Sequence, residues 1–168
     1  MAASDPAGLC RELNAHGSRY VLIGGHAVGA NGYPRATRDT DLLLAPGEEN
    51  WRRTLNALIA VGATRPQGGE LEQTEPVHHL RADTSYGPVD LLEEGVDPLT
   101  FEQVESGAMR IEIDDVDIPV CGLAELVAFK RLAGRTRDRA DLEELEAVHG
   151  TLPLLPLPGI DAPDLPEG

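Results

Sequence analysis

Residues 20–44 read YVLIGGHAVGANGYPRATRDTDLLL, and the pattern changes three times along this stretch. Residues 20–23 are apolar, as in a strand buried on both faces, and the glycine pair at 24–25 then breaks the run. Residues 26–31 have the composition of a short helix, which the Gly-Tyr-Pro sequence after it closes. Residues 38–44 are again strand-like. The stretch therefore predicts a strand, a glycine turn, a short helix and a second strand.

Two carboxylates distinguish the second predicted strand. Asp39 and Asp41 are two residues apart, so their side chains project from the same face, ~6.5 to 7 Å apart along the chain. Leu42 and Leu44 lie on the apolar face. Two like charges on an otherwise buried strand are unfavourable unless a cation compensates them. Because carboxylate oxygens are ligands for divalent ions, the pattern predicts a metal site at this pair.

A third carboxylate and the glycine pair extend this prediction. Asp90 is the polar residue in the apolar sequence Pro-Val-Asp-Leu-Leu at residues 88–92, and it completes a three-carboxylate cluster if that strand lies beside residues 38–44. Gly24 and Gly25 have no side chains to keep a phosphate from the backbone, and a helix begins at this turn. A triphosphate bound next to the carboxylates is therefore the expected ligand.

The rest of the chain supplies the remaining elements of the predicted fold. Helical spacing predicts helices at residues 5–17 and 46–60, the second with Trp51, Leu55 and Leu58 in the core. Two more helices, separated by Gly134, are expected near the C-terminus, the second with Thr136 as its N-cap. Strand-like segments lie between them. The ranges are 76–81, 89–92, 109–113 and 116–120 for the strands, and 122–133 and 136–148 for the helical pair.

These elements predict an α/β (α+β) domain with a small mixed β-sheet, flanking helices and a C-terminal helical pair. We assign residues 1–150 to this domain and residues 151–168 to a proline-rich flexible tail. No apolar run reaches the ~20 residues of a membrane span, no signal peptide is recognisable, and Cys10 and Cys121 have no metal-ligand spacing. A cytoplasmic protein without a membrane partner is expected.

The composition limits the partners. Twenty-nine acidic residues against 14 basic ones give a formal net charge of −15, which disfavours sequence-blind binding to a nucleic-acid backbone. A short RNA end presents few phosphates, however, and a local basic cluster is available to meet it. The cluster comprises Arg35, Arg38, Lys130, Arg131, Arg135, Arg137 and Arg139.

The glycine turn, the spacer, the Asp-x-Asp strand and the later third aspartate resemble the nucleotidyltransferase superfamily that includes DNA polymerase beta. Within it, residues 24–44 look most like minimal bacterial nucleotidyltransferases of the AbiEii toxin type. Residues 123–145, LAELVAFKRLAGRTRDRADLEEL, are similar to the C-terminal motif of those proteins. That motif is a lysine on one helix followed by an Arg-x-x-Asp-x-x-Asp helix. The matching residues here are Lys130, Arg135 or Arg137, Asp138 and Asp141.

The resemblance implies a reaction and a role for each matching residue. The reaction would transfer a nucleoside monophosphate from a nucleoside triphosphate to a hydroxyl group, with two Mg²⁺ ions, or Mn²⁺ in their place, as cofactors. Asp39 and Asp41 would ligate both ions, and Asp90 would help bind the second ion and activate the acceptor hydroxyl. The residues expected to contact the triphosphate are Gly24, Gly25, Arg35, Thr37, Lys130 and Arg137. The acceptor would be a tRNA 3′ end, a protein side chain of a partner antitoxin, or a small molecule such as an aminoglycoside or lincosamide.

Other interpretations of these residues stay open at this point. The chain could be a catalytically silent nucleotide-binding or regulatory module, for example one half of a toxin–antitoxin pair. A surface Ca²⁺ site is less well supported, because the aspartate pair lies between apolar residues without an oxygen-rich loop. Lys130 and Arg137 could be solvated, with Arg137 paired to Asp141, and Asp138 and Asp141 could be helix-start charges. His78 and His79 are interpreted as ordinary surface residues.

Overall fold

The computed structural model describes residues 4–93 and 97–157, and within these ranges the chain forms six helices around a six-stranded sheet. The predicted α/β fold with a mixed sheet and a C-terminal helical pair is confirmed. In chain order the elements are α1 (Pro6–Ala15), β1 (Tyr20–Ile23), α2 (Gly24–Ala30), β2 (Thr40–Leu44), α3 (Glu48–Ala60), β3 (His79–Thr84), β4 (Gly87–Glu93), α4 (Phe101–Ser106), β5 (Met109–Ile113), β6 (Val116–Val120), α5 (Leu123–Ala133) and α6 (Thr136–His149).

The sheet has the strand order β3-β4-β2-β1-β6-β5 and contains both parallel and antiparallel pairs. β1 pairs antiparallel with β2 and parallel with β6. β2 pairs parallel with β4, which places Asp41 directly beside Asp90. β3 and β5 are the edge strands and pair antiparallel with β4 and β6. The expected neighbourhood of the two aspartate strands is therefore present.

The core lies on both faces of the central strands. All four residues of β1 are buried, and because side chains alternate between faces, both faces of β1 must be covered. Trp51, Leu55 and Leu58 on α3 are buried as predicted, and the indole nitrogen of Trp51 donates a hydrogen bond to the carbonyl oxygen of Thr74 at 3.0 Å. None of the helices in the described ranges is long and apolar enough to cross a bilayer.

The structure differs from the prediction in several places, of which three affect the site or the element count. The strand expected at residues 76–81 is β3 and lies three residues later, where it pairs with β4 along its length. The short helix α4 was not predicted. The N-cap of α6 is Arg135 rather than Thr136, because the side chain of Asp138 accepts a hydrogen bond from the Arg135 backbone amide at 3.1 Å. That contact moves the helix start by one residue.

The C-terminal segment packs on the domain. Residues 151–157 form neither helix nor strand, yet Leu157 is fully buried and Leu152 and Leu155 pack against the core. Burial of these leucines therefore holds residues 151–157 against the domain, although the sequence predicts a flexible tail from residue 151 onward. Residues 158–168 of the predicted tail lie outside the described ranges.

Candidate active site

A cleft of about 710 Å³ brings together all nine residues predicted to form the site. It lies where β1 gives way to α2, beside the start of β2, the middle of β4, and the facing sides of α5 and α6. Residues separated by more than a hundred positions in the sequence therefore share one cleft. The predicted residues that line it are Gly24, Gly25, Arg35, Thr37, Asp39, Asp41, Asp90, Lys130 and Arg137.

The three carboxylates form one electrostatic cluster. Asp41 is the second residue of β2 and pairs in register with Asp90 on β4, while Asp39 immediately precedes β2. Burial, and then the nearby charges of Asp90 and Asp39, raise the pKa of Asp41 from 3.8 to about 6. Three carboxylates are therefore concentrated at this end of the two strands, and the charged form of Asp41 is disfavoured there.

Close contacts with neighbouring side chains require glycine at positions 24 and 25. Gly24 has a φ of +68°, and a Cβ atom at this position would collide with the carboxylate of Asp41. A Cβ atom at Gly25 would lie 2.7 Å from the hydroxyl oxygen of Thr37. Both positions therefore leave room for side chains of the cleft, the Asp41 carboxylate at Gly24 and the Thr37 hydroxyl at Gly25.

A buried ionic network supports the basic wall of the cleft. Lys130 on α5 is 6% exposed, and its Nζ lies 3.1 Å from Asp138 Oδ1 and 2.9 Å from Asp141 Oδ2 on α6. Arg35 forms two hydrogen bonds to Asp141, at 2.8 and 2.9 Å. Arg135 Nε lies 2.7 Å from Asp138 Oδ2. The two aspartates thus fix three cationic side chains at the edge of the cleft.

The pKa values of the two aspartates agree with this network. Burial acts to raise the pKa of Asp138 and of Asp141, but the hydrogen bonds and charges of their cationic partners outweigh it, so both lie below the usual value. The partners are Arg135 and Lys130 for Asp138, and Arg35 and Lys130 for Asp141. The alternative pairing of Arg137 with Asp141 is wrong, because Arg35 and Lys130 bind that carboxylate. Arg137 is exposed and lines the cleft.

Two residues of the edge strand β3 reach the carboxylates and were not predicted. Arg81 Nη1 lies 2.7 Å from Asp90 Oδ2 and 3.2 Å from Asp39 Oδ2, and Arg81 Nη2 lies 3.3 Å from Asp39 Oδ1. His79 Nε2 lies 2.9 Å from Asp90 Oδ1. His78 and His79 are both exposed, as interpreted from the sequence, but His79 in addition contacts a carboxylate of the cleft.

The charge of the cleft differs from that of the whole chain. Six guanidinium or ammonium groups line it against four carboxylates, in a protein with a net charge of −15. The cleft also has an apolar wall on its β4 and α5 sides. A ligand with both an anionic and an apolar part, such as a nucleotide, suits this combination of cationic and apolar side chains. The apolar wall comprises Leu92, Leu126, Phe129, Leu132 and Ala133.

The donor set suits a hard divalent ion. Asp39, Asp41 and Asp90 supply carboxylate oxygens, the ligands that Mg²⁺ prefers, and burial, followed by the charges of Asp90 and Asp39, raises the pKa of Asp41. Within the described ranges no three acidic, histidine or cysteine side chains already stand in a metal-ligand arrangement. In the present arrangement a cation, the Arg81 guanidinium, lies between two of the three carboxylates.

The fold is of the nucleotidyltransferase type, as comparison with solved structures shows. The lincosamide antibiotic adenylyltransferase LnuA with lincomycin bound aligns over 88% of this chain and 99% of its own, with 15% identity and a TM-score of 0.61. ANT(2″)-Ia in complex with adenylyl-2″-tobramycin aligns over 84% and 86%, with 13% identity and a TM-score of 0.57. A candidate nucleotidyltransferase from Thermotoga maritima aligns over 84% and 89%, with 13% identity and a TM-score of 0.56.

Sequence alone gives no such match. No protein-family model matches the chain, and no curated protein sequence matches it either. At these identities the structural similarity extends to the fold, and the chemistry has to be argued from the residues of the cleft.

Proposed function

We propose that this chain is a metal-dependent nucleotidyltransferase, which moves a nucleoside monophosphate from a nucleoside triphosphate to a hydroxyl acceptor. The observation that carries the proposal is the convergence of Asp39, Asp41 and Asp90 with a basic wall in one cleft. The nucleotidyltransferase-type fold supports it. A purely structural cluster of this kind would be costly, since like charges on neighbouring buried strands repel each other.

Divalent cations complete the site in this proposal. Asp39, Asp41 and Asp90 would hold Mg²⁺, or Mn²⁺ in its place. When bound, these ions would offset the charge of the triphosphate and of the pyrophosphate that leaves. The two glycines at 24–25 allow the Asp41 carboxylate and the Thr37 and Arg35 side chains to lie against the turn, next to the bound ions and phosphates.

The side chains of the basic wall bind and orient the triphosphate. Arg35, fixed by its two hydrogen bonds to Asp141, lines the cleft and contributes positive charge to it. Lys130 and Arg135, held by Asp138, add positive charge on the same side. Because these cations are already fixed by buried carboxylates, little ordering is needed when the triphosphate binds.

The chemical step is an in-line displacement at the α-phosphorus. The acceptor oxygen forms a bond to this phosphorus while the bond from the phosphorus to the oxygen bridging to the β-phosphate breaks. Pyrophosphate leaves with that oxygen. Asp90, which lines the cleft with a side chain that is 17% exposed, takes the proton of the acceptor hydroxyl.

A small-molecule hydroxyl is the acceptor we favour. Two of the structural neighbours are described with antibiotics or an adenylylated antibiotic bound. The net charge of −15 also opposes the approach of a polyanion such as tRNA. A tRNA end, or a protein partner as in toxin–antitoxin pairs of the AbiEii type, would be the acceptor if the labelling experiment places the nucleotide there.

The proposal is tested by incubating the protein with each labelled nucleoside triphosphate, Mg²⁺ and three acceptor pools: total tRNA, cell-lysate protein, and a set of aminoglycosides and lincosamides. Asp41→Asn protein serves as the inactive comparison and Asp117→Asn, an exposed residue of β6 outside the cleft, as the matched control. We expect transferred label and released pyrophosphate with the wild type and the control only. Triphosphate binding without pyrophosphate release in any pool would favour the catalytically silent module. Absence of triphosphate binding by calorimetry would contradict both functions.

A further inference from the structure

The guanidinium of Arg81 occupies a defined place in the carboxylate cluster. Arg81 on β3 pairs in register with Asp90 on β4, and Asp90 pairs with Asp41 on β2. Residues directly opposite each other on neighbouring strands share a face of the sheet. Arg81, Asp90 and Asp41 therefore form a row across three strands. The Arg81 guanidinium also binds Asp39, which lies two residues before Asp41 in the sequence.

This arrangement satisfies part of the negative charge without a metal ion. Arg81 donates to one oxygen of Asp90 and to both oxygens of Asp39, at 2.7 to 3.3 Å. A divalent ion ligated by Asp39 and Asp90 would need some of the same oxygen lone pairs. It would also place a second cation next to the guanidinium, which is unfavourable. Arg81 and a divalent ion are therefore competitors for these two carboxylates.

Arg81 is also able to move. Its side chain is 40% exposed and lies on an edge strand, so it can turn towards solvent while the backbone pairing of β3 with β4 stays intact. The hydrogen bond to Asp39, together with the charges of Asp90, Asp39 and Asp83, raises the pKa of Arg81, so Asp83, two residues further along β3, is another anionic group near the guanidinium. The phosphates of a bound nucleotide would offer the displaced guanidinium another anionic partner.

We infer that Arg81 is a positioning residue that acts as a built-in counter-cation. It holds Asp39 and Asp90 together in the metal-free protein and gives way when a divalent ion binds. The inference rests on the proposed function. Its consequence is that the metal ion alone binds weakly, because it has to displace the Arg81 guanidinium. The metal ion and the nucleoside triphosphate bind cooperatively, because the phosphates of the nucleotide pair with the displaced guanidinium.

Mn²⁺ binding without nucleotide provides the test, measured by calorimetry and by the loss of the free Mn²⁺ signal in electron paramagnetic resonance. The proteins are wild type, Arg81→Ala, Arg81→Gln and Arg81→Lys, with Arg110→Ala as control, because Arg110 pairs with exposed Asp117 on the opposite edge of the sheet. We expect Arg81→Ala and Arg81→Gln to bind Mn²⁺ at least five-fold more tightly than wild type. The Mn²⁺ affinity of Arg81→Lys should lie between that of wild type and that of the two uncharged variants. The affinity of Arg110→Ala should equal that of wild type.

The nucleotide arm and the melting temperature complete the test. A non-hydrolysable triphosphate should increase Mn²⁺ affinity more in the wild type than in Arg81→Gln, and the two uncharged variants should melt at lower temperature in EDTA. Equal or weaker Mn²⁺ binding by folded Arg81→Gln, checked by circular dichroism, would overturn the inference and leave the proposed function standing. Absence of Mn²⁺ binding in every protein, with and without nucleotide, would overturn the metal assignment of the proposed function together with this inference.

Discussion

At the scale of single residues, Asp41 is held in an environment that disfavours its charge. Its pKa is about 6 in the folded protein, against 3.8 for an unperturbed aspartate. Between these values the folded state binds a proton that the unfolded state has lost, so the free energy of unfolding falls as pH rises from about 4 to about 6. Above about pH 6 Asp41 is charged in both the folded and the unfolded state, and its contribution to the free energy of unfolding stays at its lowest value.

Asp41→Asn should therefore abolish nucleotidyl transfer while stabilising the metal-free protein. At pH 7.5 in EDTA we expect its free energy of unfolding to exceed that of wild type by about 1 to 3 kcal/mol, from the size of the pKa difference. At pH 4 the two should agree. Urea titrations followed by the fluorescence of Trp51, the single tryptophan, measure both values. A stabilisation of equal size at both pH values would contradict the electrostatic explanation.

Gly24 allows a second test at residue scale, because another glycine offers a matched control. Gly24 and Gly62 have φ values of +68° and +72°, but only at Gly24 does a Cβ atom meet another group, the carboxylate of Asp41. Gly62→Ala should lose about 1 to 2 kcal/mol of stability from backbone strain alone. Gly24→Ala should lose more and should also lose Mn²⁺ binding, because Asp41 must move. Indistinguishable unfolding curves and metal affinities for the two variants would count against the close contact.

At the scale of elements, the contact between α5 and α6 depends on buried charge. Asp141→Asn leaves Arg35 without its bidentate partner and Lys130, itself buried, with Asp138 alone. We expect a loss of about 3 kcal/mol in the free energy of unfolding, the range for breaking a buried ion pair, and weaker triphosphate binding.

Glu49→Gln is the control for this prediction. Glu49 also bridges two arginines, Arg52 and Arg53, but on the exposed surface of α3, where ion pairs contribute little. Its unfolding midpoint should match wild type. If Asp141→Asn unfolds at the wild-type urea concentration and binds nucleotide normally, the network does not support the basic wall.

The elements also show what sequence could and could not predict. The Asp-x-Asp strand and the glycine turn were predictable because each is a local pattern, and Asp90 because it interrupts an apolar run. Arg81 and His79 were missed, since their place beside Asp90 depends on the register of β3 with β4. α4 was missed although its capping box, Thr100 with Gln103, is readable in the sequence.

At the scale of the whole molecule, the fold keeps both cysteines away from solvent. Cys10 and Cys121 are free and fully buried, and burial raises the pKa of both thiols, that of Cys10 to about 11. Because the thiolate is the reactive form, neither should react with Ellman's reagent at pH 8 in the native protein, and both should react in urea. Rapid reaction of one thiol in the native state would reveal local opening around α1 or at the end of β6.

The pairing of Lys130 with α6 has a consequence for the protein during its synthesis. On the ribosome α5 emerges before the helix that carries Asp138 and Asp141. Until those carboxylates arrive, burying the ammonium of Lys130 is unfavourable and opposes the docking that the buried apolar residues Leu126, Val127 and Ala128 of α5 favour. The nascent chain thus carries its aspartate strands and Arg35 before the Asp138 and Asp141 that fix Lys130 and Arg35. We therefore expect tight triphosphate binding only after α6 has left the exit tunnel.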